Sequence, residues 1–253
     1  MSQSQPDLAE YRSKVESART TGRSVDNFSK DHASILTKEI IAASSSSVEI
    51  LCCKLDQDVY ALVAEEGSNF VNRGGYLRII VETDLDWPTL RSHKFVDSLI
   101  CGGVPGHFDI RYLPDAAERH RHNFVVGDKC HVRDEPNRNV PAAQGQFCDA
   151  QRGATLSQEH ERLFGLASEI TGRPQAPQFI RLEYTFRDGV HLFKASTDLQ
   201  GLRVGSRDLE EAADELPTAA GLLVWVKFAR VAHYRLSRGT GSPDQFQLEL
   251  IED

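Results

Sequence analysis

Between residues 119 and 128 the chain alternates cations and imidazoles and runs them into an apolar strand: Arg119, His120, Arg121, His122, Asn123, Phe124, Val125, Val126, Gly127, Asp128. Imidazole changes charge near neutral pH and can attack an electrophile or carry a proton. Guanidinium grips a phosphate through paired hydrogen bonds but stays protonated, so it cannot attack one. His120 and His122 are therefore candidate catalytic residues, and Arg119 and Arg121 candidate phosphate or anion ligands. From Arg119 to Arg138 there are five Lys/Arg, three Asp/Glu and three His. That balance suits a local phosphate or nucleic-acid contact, not a broad duplex-binding face.

Other reactive residues read as structural. Cys130, His131 and Cys148 lack the paired spacing of a zinc site, so no metal is expected. The five cysteines, an odd number, read as reduced, buried small hydrophobes. Glu82, Asp84 and Asp86 follow an apolar strand and read as helix-capping carboxylates. His93 and Lys94 read as a solvated helix face, and no cofactor signature is present.

The elements that must position the cluster can be read from periodicity. Asp31–Ala43 has helical spacing, with Asp31 as N-cap. Val48–Cys53 is a short buried strand, Asp58–Asn72 a helix stopped at Arg73-Gly74-Gly75, and Tyr76–Val81 a second strand. A helix from Trp87 to Ile100 leads to a third strand, Phe108–Leu113. Two strands without a helix between them follow, at Asn123–Gly127 and Lys129–Arg133, then Ala142–Cys148 and a helix over Leu156–Ile170. Alternation of strand and helix predicts an α/β domain with a mixed, mainly parallel sheet. Residues 1–30 read as a helical or flexible N-terminal segment. Residues 171–177, with one Gly and two Pro, read as a linker.

Hydrophobic residues make up 40% of the 253 and charged ones 26%, ordinary values for a globular chain. No apolar run reaches the ~20 residues that span a bilayer, and the start has no apolar leader. The expectation is a cytoplasmic protein with no membrane contact. A net charge of −8 excludes a surface that wraps nucleic acid throughout.

The order of elements over residues 31–170, with Arg121–Asp128 followed by Ala142–Asp149 and a helix, resembles one repeat of the phospholipase D superfamily. The family pattern is His-x-Lys, four residues, Asp, and then a Gly-Ser-x-Asn strand. The resemblance implies a histidine nucleophile, a lysine that grips phosphate, and two motifs meeting in one site. Here Arg121 stands at the His position, Asn123 at the Lys position and Asp128 at the Asp, so the resemblance adds Asp128 to the candidate catalytic residues and Asn123 to the candidate phosphate or anion ligands. Gly145 matches, and Gln146 replaces the Ser. If Arg121 and Asn123 face the cleft, strand alternation turns His120 and His122 away from it. The resemblance thus implies a site that binds an anion without cleaving it, and a homodimer, since one repeat supplies half a cleft.

Residues 178–253 read as a small α+β domain (β-β-β-α-β). A hairpin turns at Arg187-Asp188-Gly189, and a short strand spans Gly201–Ser206. A helix capped by Asp208 is kinked or split at Pro217, and the last strands lie in Ala229–Leu236 and Phe246–Ile251. Leu199, Gly201, Leu202, Val204, Asp208, Glu210, Glu211 and Ala212 resemble the pattern of HicB-like antitoxin domains, which implies a protein partner bound through this unit. The combined expectation is a non-catalytic binding or regulatory protein in a toxin–antitoxin or anti-phage setting. The alternative is a dimeric phosphodiesterase or nuclease using His120 or His122.

Overall fold

A computed structural model describes residues 8–115, 118, 122–137, 142–195, 198–238 and 246–251, the side chain of Arg238 excepted. The chain divides into two compact units, Met1–Arg173 and Pro174–Asp253. None of the described helices is long and apolar enough to cross a membrane.

The first unit runs α1 (Leu8–Thr21), β1 (Val25–Asn27), α2 (Lys30–Ala43), β2 (Ser47–Cys52), α3 (Gln57–Tyr60), α4 (Ala64–Asn72), β3 (Tyr76–Val81), α5 (Trp87–Arg91), α6 (Lys94–Gly102), β4 (Phe108–Tyr112), β5 (Asn123–Gly127), β6 (His131–Glu135), β7 (Ala143–Gln146), α7 (Ala150–Leu166) and β8 (Ser168–Glu169). Its strands form one eight-stranded sheet in the order β1-β7-β6-β5-β2-β3-β4-β8. Only β2–β3 and β3–β4 are parallel; the other five pairings are antiparallel. The expected mainly parallel sheet is corrected here. The neighbouring strands linked in sequence through helices, β2–β3 and β3–β4, pair in parallel, whereas β5 and β6, joined by a tight turn, must reverse direction. β5 then enters antiparallel beside β2.

The two faces of the sheet carry different layers. Leu51, Phe124, Val126 and Val132 pack with Leu156, Leu163 and Phe164 of α7. On the other face, Gly145 lies against Leu36 and Gly127 against Ile40 and Ser44 of α2; a side chain at either glycine would collide with that helix. Absent side chains let α2 approach the sheet closely.

Several local readings shift. Ser29, not Asp31, caps α2, accepting from His32 N at 3.2 Å. The expected Asp58–Asn72 helix is two helices, and so is the Trp87–Ile100 one. Asp86 caps α5, as its position suggested. His93 is buried rather than solvated: it caps α6, and its Nε2 donates to Leu55 O at 3.0 Å. α7 starts at Ala150, where Asp149 caps it. From Leu8 onward the N-terminal segment is helical and packs into the first unit. Tyr11, Val15 and Ala18 are buried, Tyr11 stacks on His32 at 3.7 Å, and β1 pairs with β7. Of the expected linker, Thr171 accepts from Trp87 N and Arg173 lies over the Trp87 ring in the first unit. Pro174 and Pro177 accept from Arg230 and Tyr234 in the second.

The second unit has β9 (Phe179–Arg187), β10 (Val190–Ala195), β11 (Arg203–Ser206), α8 (Leu209–Phe228), β12 (His233–Arg238) and β13 (Phe246–Ile251). The order is β-β-β-α-β-β: both strands expected within Ala229–Leu236 and Phe246–Ile251 follow the helix, one more than the β-β-β-α-β shorthand counts, in an antiparallel sheet β11-β10-β9-β13-β12. Asp188 (φ 56°) and Gly189 (φ 75°) make the β9–β10 turn, the twist a two-residue hairpin needs. α8 runs unbroken through Pro217, so the expected split is absent. Trp225, with Leu216 and Val224, is core.

A buried ion pair joins sheet and α7 in the first unit. Glu49 is 2% exposed. It accepts from Arg78 Nη2 at 2.5 Å and from Ser157 Oγ at 2.5 Å. Removing one partner strands a buried charge, whereas removing both need not. Arg78→Met is therefore expected to cost about 3–5 kcal/mol by urea denaturation, and Glu49→Leu/Arg78→Met markedly less. Equal losses in the two variants would contradict a desolvated pair.

Candidate functional site

Five strands and two helices enclose a cavity of about 460 Å³ lined by Asn27, Ser29, Lys30, Ala33, Cys52, Cys53, Lys54, Asp56, Val59, Tyr60, Asn123, Arg133, Glu135 and Ala143. Its floor is one rung of the sheet. Asn27 pairs with Ala143 and Asn123 with Glu135. Continuing the β2–β5 and β6–β7 ladders by one residue sets Glu135 opposite Ala143 and Cys52 opposite Asn123. Alternation puts these side chains on the α2 side, and Ala143 leaves the space open. The N-terminus of α2 (Ser29, Lys30, Ala33) and the α3 region (Asp56, Val59, Tyr60) line the rest.

The charges in this cavity are mostly paired. Lys30 contacts Asp56 at 2.9 Å and Asp58 at 2.7 Å. Arg133 Nη2 donates to Glu135 at 2.9 Å. Asn123 Oδ1 accepts from Cys53 N at 3.0 Å, and its Nδ2 donates to Glu135 at 3.4 Å. Among the described residues, two buried donors on the lining have no hydrogen-bond partner: Asn27 Nδ2 and Arg133 Nε. Burial costs such donors their water, so an acceptor or an ordered water is expected to satisfy them.

His122 and Asn123 are neighbours in sequence and point to opposite sides of the sheet. His122 Nε2 donates to Asp134 Oδ1, and its ring lies edge-on to Phe124 at 5.3 Å, on the α7 side. Asp134 also accepts from Arg152 Nε at 2.7 Å and from Arg152 Nη2. Burial opposes ionisation of Asp134, but the hydrogen bonds from His122 and Arg152 outweigh it and hold the carboxyl below the usual range. His122 is thus an oriented imidazole, but on the α7 face rather than the cavity face.

Asp128 has a different task. It sits in the β5–β6 turn with φ 47°, followed by Lys129 at φ 57°, and Cys130 N closes the turn on Gly127 O at 3.0 Å. Its carboxylate accepts from Ser45 N (2.7 Å), Ser45 Oγ (2.8 Å), Ser46 N (2.9 Å), Ser46 Oγ (2.8 Å) and Ser47 N (2.9 Å). Burial works against the ionised form, yet these donors keep the carboxyl well below the ordinary range. The hydrogen bonds described for the Asp128 carboxylate all come from the serine turn, away from the cavity. Arg119, His120 and Arg121 lie outside the described residues.

The chain matches no protein-family model and no curated protein. Three solved structures resemble it in part. TrmBL2, an archaeal chromatin protein whose structure shows a novel mode of DNA binding, is 15% identical over 64% of this chain, with a TM-score of 0.46. This chain spans 63% of TrmBL2. Nuc from Salmonella typhimurium, a phospholipase D family member, is 9% identical over 59% of this chain and 99% of its own, with a TM-score of 0.45. NucT from Helicobacter pylori is 11% identical over 58% of this chain and 99% of its own, with a TM-score of 0.39.

Sequence reasoning did not single out Asn27, Lys30, Lys54, Arg133 or Glu135. The Arg133-Asp134-Glu135 triplet is the one local signal, since alternation sends its outer two residues to one face. Elsewhere the residues come from separate elements with no shared spacing. Among the described residues, no three His, Cys, Asp or Glu side chains are grouped to hold a metal ion. Cys52 is buried as expected, but Cys101 and Cys148 are exposed.

Asp128 makes an acid-sensitivity prediction. Its carboxyl ionises more readily folded than unfolded, so its contribution is fully present above the unfolded value of about 4 and fades as pH falls below it. Asp128→Asn, which retains an acceptor but loses the charge, is expected to lower stability by about 1–2 kcal/mol at pH 7 and to narrow the gap to the parent as pH drops to 3. A gap constant from pH 7 to pH 3 in chemical denaturation would rule the linkage out.

Proposed function

We propose that this chain is a non-catalytic binding or regulatory protein whose first unit is phospholipase D-like and retains an oxyanion pocket without a cutting nucleophile. The carrying observation is the split between neighbours: Asn123 faces the cavity, and His122 is held by Asp134 on the other side of the sheet. An amide can donate one hydrogen bond to a ligand oxygen but can neither attack phosphorus nor supply charge. Three features support an oxyanion ligand: the two unpartnered donors, the α2 N-terminus, and Lys54 on the lining. Because Lys30 and Arg133 are already paired, binding is expected to be weak and sensitive to salt.

The second unit is read as a partner-binding module of the HicB-like antitoxin kind, and the whole as a homodimer in a toxin–antitoxin or anti-phage setting. The residue pattern at Gly201–Ala212 supports the first statement. The homodimer follows from the half-cleft argument and is checked by light scattering after gel filtration; a monomer at micromolar concentration would defeat it.

A second reading has an observation of its own. An imidazole oriented by a carboxylate, as His122 is by Asp134, is the arrangement of a general base. In that reading two copies form a phosphodiesterase that uses His122, or His120.

A single set of assays separates the two. The non-catalytic reading expects no turnover of a chromogenic phosphodiester or of single- or double-stranded DNA. It also expects inorganic phosphate to bind by calorimetry, at least tenfold more weakly in Lys54→Ala/Asn123→Ala. Turnover abolished by His122→Ala would install the second reading, and absent phosphate binding would remove the oxyanion pocket.

A further inference from the structure

The β6–β7 end of the first sheet brings two cysteines together, apart from the cavity. The last pair of that ladder is Val132 with Gln146. Two residues further along each strand stand Cys130 and Cys148. The strands stay in contact there: the His131 and Phe147 rings lie 5.6 Å apart, and Cys148 N donates to His131 Nδ1 at 3.4 Å. Asp149 N donates to Cys130 O at 2.8 Å. Standard backbone dimensions then hold the two cysteine Cα atoms within roughly 8 Å, close to the range a disulfide spans.

Both thiols are free, with Cys148 exposed and Cys130 half-buried. Burial, then the neighbouring Cys148 and Asp128, raise the Cys130 thiol above its usual range, which agrees with their closeness. The backbone is distinctive too. Cys148 has φ 62°, a left-handed conformation uncommon for a residue with a β-carbon. Asp149, next to it, caps α7.

We propose that Cys130 and Cys148 form a thiol pair that closes to a disulfide by exchange with a small-molecule disulfide, cross-linking the β5–β6 turn to the start of α7. The exposed Cys148 thiolate attacks one sulfur of the small disulfide, breaking its S–S bond and releasing one small thiol. The Cys130 thiolate then attacks the Cys148 sulfur in the mixed disulfide and releases the second. Two protein thiols are oxidised, one small disulfide is reduced, and the two thiol protons pass to the released thiolates. The bridge would join segments on either side of Asp134, whose carboxylate links His122 to Arg152 of α7.

The native chain, reduced and then incubated with oxidised glutathione, is expected to fall from five free thiols to three. A Cys130–Cys148 bridge should be identified by peptide mass mapping, with far-ultraviolet circular dichroism unchanged. Cys101→Ser should still form the bridge; Cys148→Ser should retain all of its remaining thiols or carry only glutathione adducts. Five thiols left intact, glutathione retained on Cys148 with no bridge, or a bridge that forms only in denaturant would each overturn the proposal.

Discussion

The fold of the first unit depends on one carboxylate meeting one turn. Asp128 sits more than eighty residues beyond Ser45–Ser47, yet accepts five hydrogen bonds from those three serines. Asp128 N donates back to Ser47 O at 2.9 Å. The contact fastens the start of β2 to the end of β5 and so fixes the register of an antiparallel pair with no short connection of its own. Register is binary in its consequences: a slip of one residue sends every side chain to the opposite face. Under the observed register Asn123 faces the cavity and His122 faces α7; a one-residue slip would exchange them. Asp128 therefore influences the chemistry of a site it does not touch.

The two sides of the strand have divided the available chemistry. On the α7 side, His122, Asp134 and Arg152 form a chain of charge-assisted contacts beside Phe124. On the α2 side, the rung from Asn27 to Cys52 offers amides, a carboxylate and a thiol around a cavity that Ala143 keeps open. A phosphodiester-cleaving site needs nucleophile and charge clamp on one side of the sheet at attack distance. Here His122 and the cavity are separated by the thickness of the sheet. Glu49, Arg78 and Ser157 hold β2 and β3 to α7 independently of the side chains that line the cavity.

Much was legible in the sequence itself. Helical and alternating periodicity located nearly every element, and Gly74-Gly75, Asp86, Asp188-Gly189 and Asp208 marked stops, caps and turns, because those signals act within a few residues of themselves. Alternation also predicted that His122 and Asn123 would part company, a covalent consequence of strand geometry. The sequence did not disclose that β5 inserts antiparallel beside β2, that Asp128 serves a serine turn, or that residues 8–27 complete the sheet and the core. Nor did it disclose that Asn27, Arg133 and Glu135 share a rung. Those outcomes rest on hydrogen bonds and packing between segments tens of residues apart. Their energies are realised only once the chain has closed on itself, so local pattern carries no record of them.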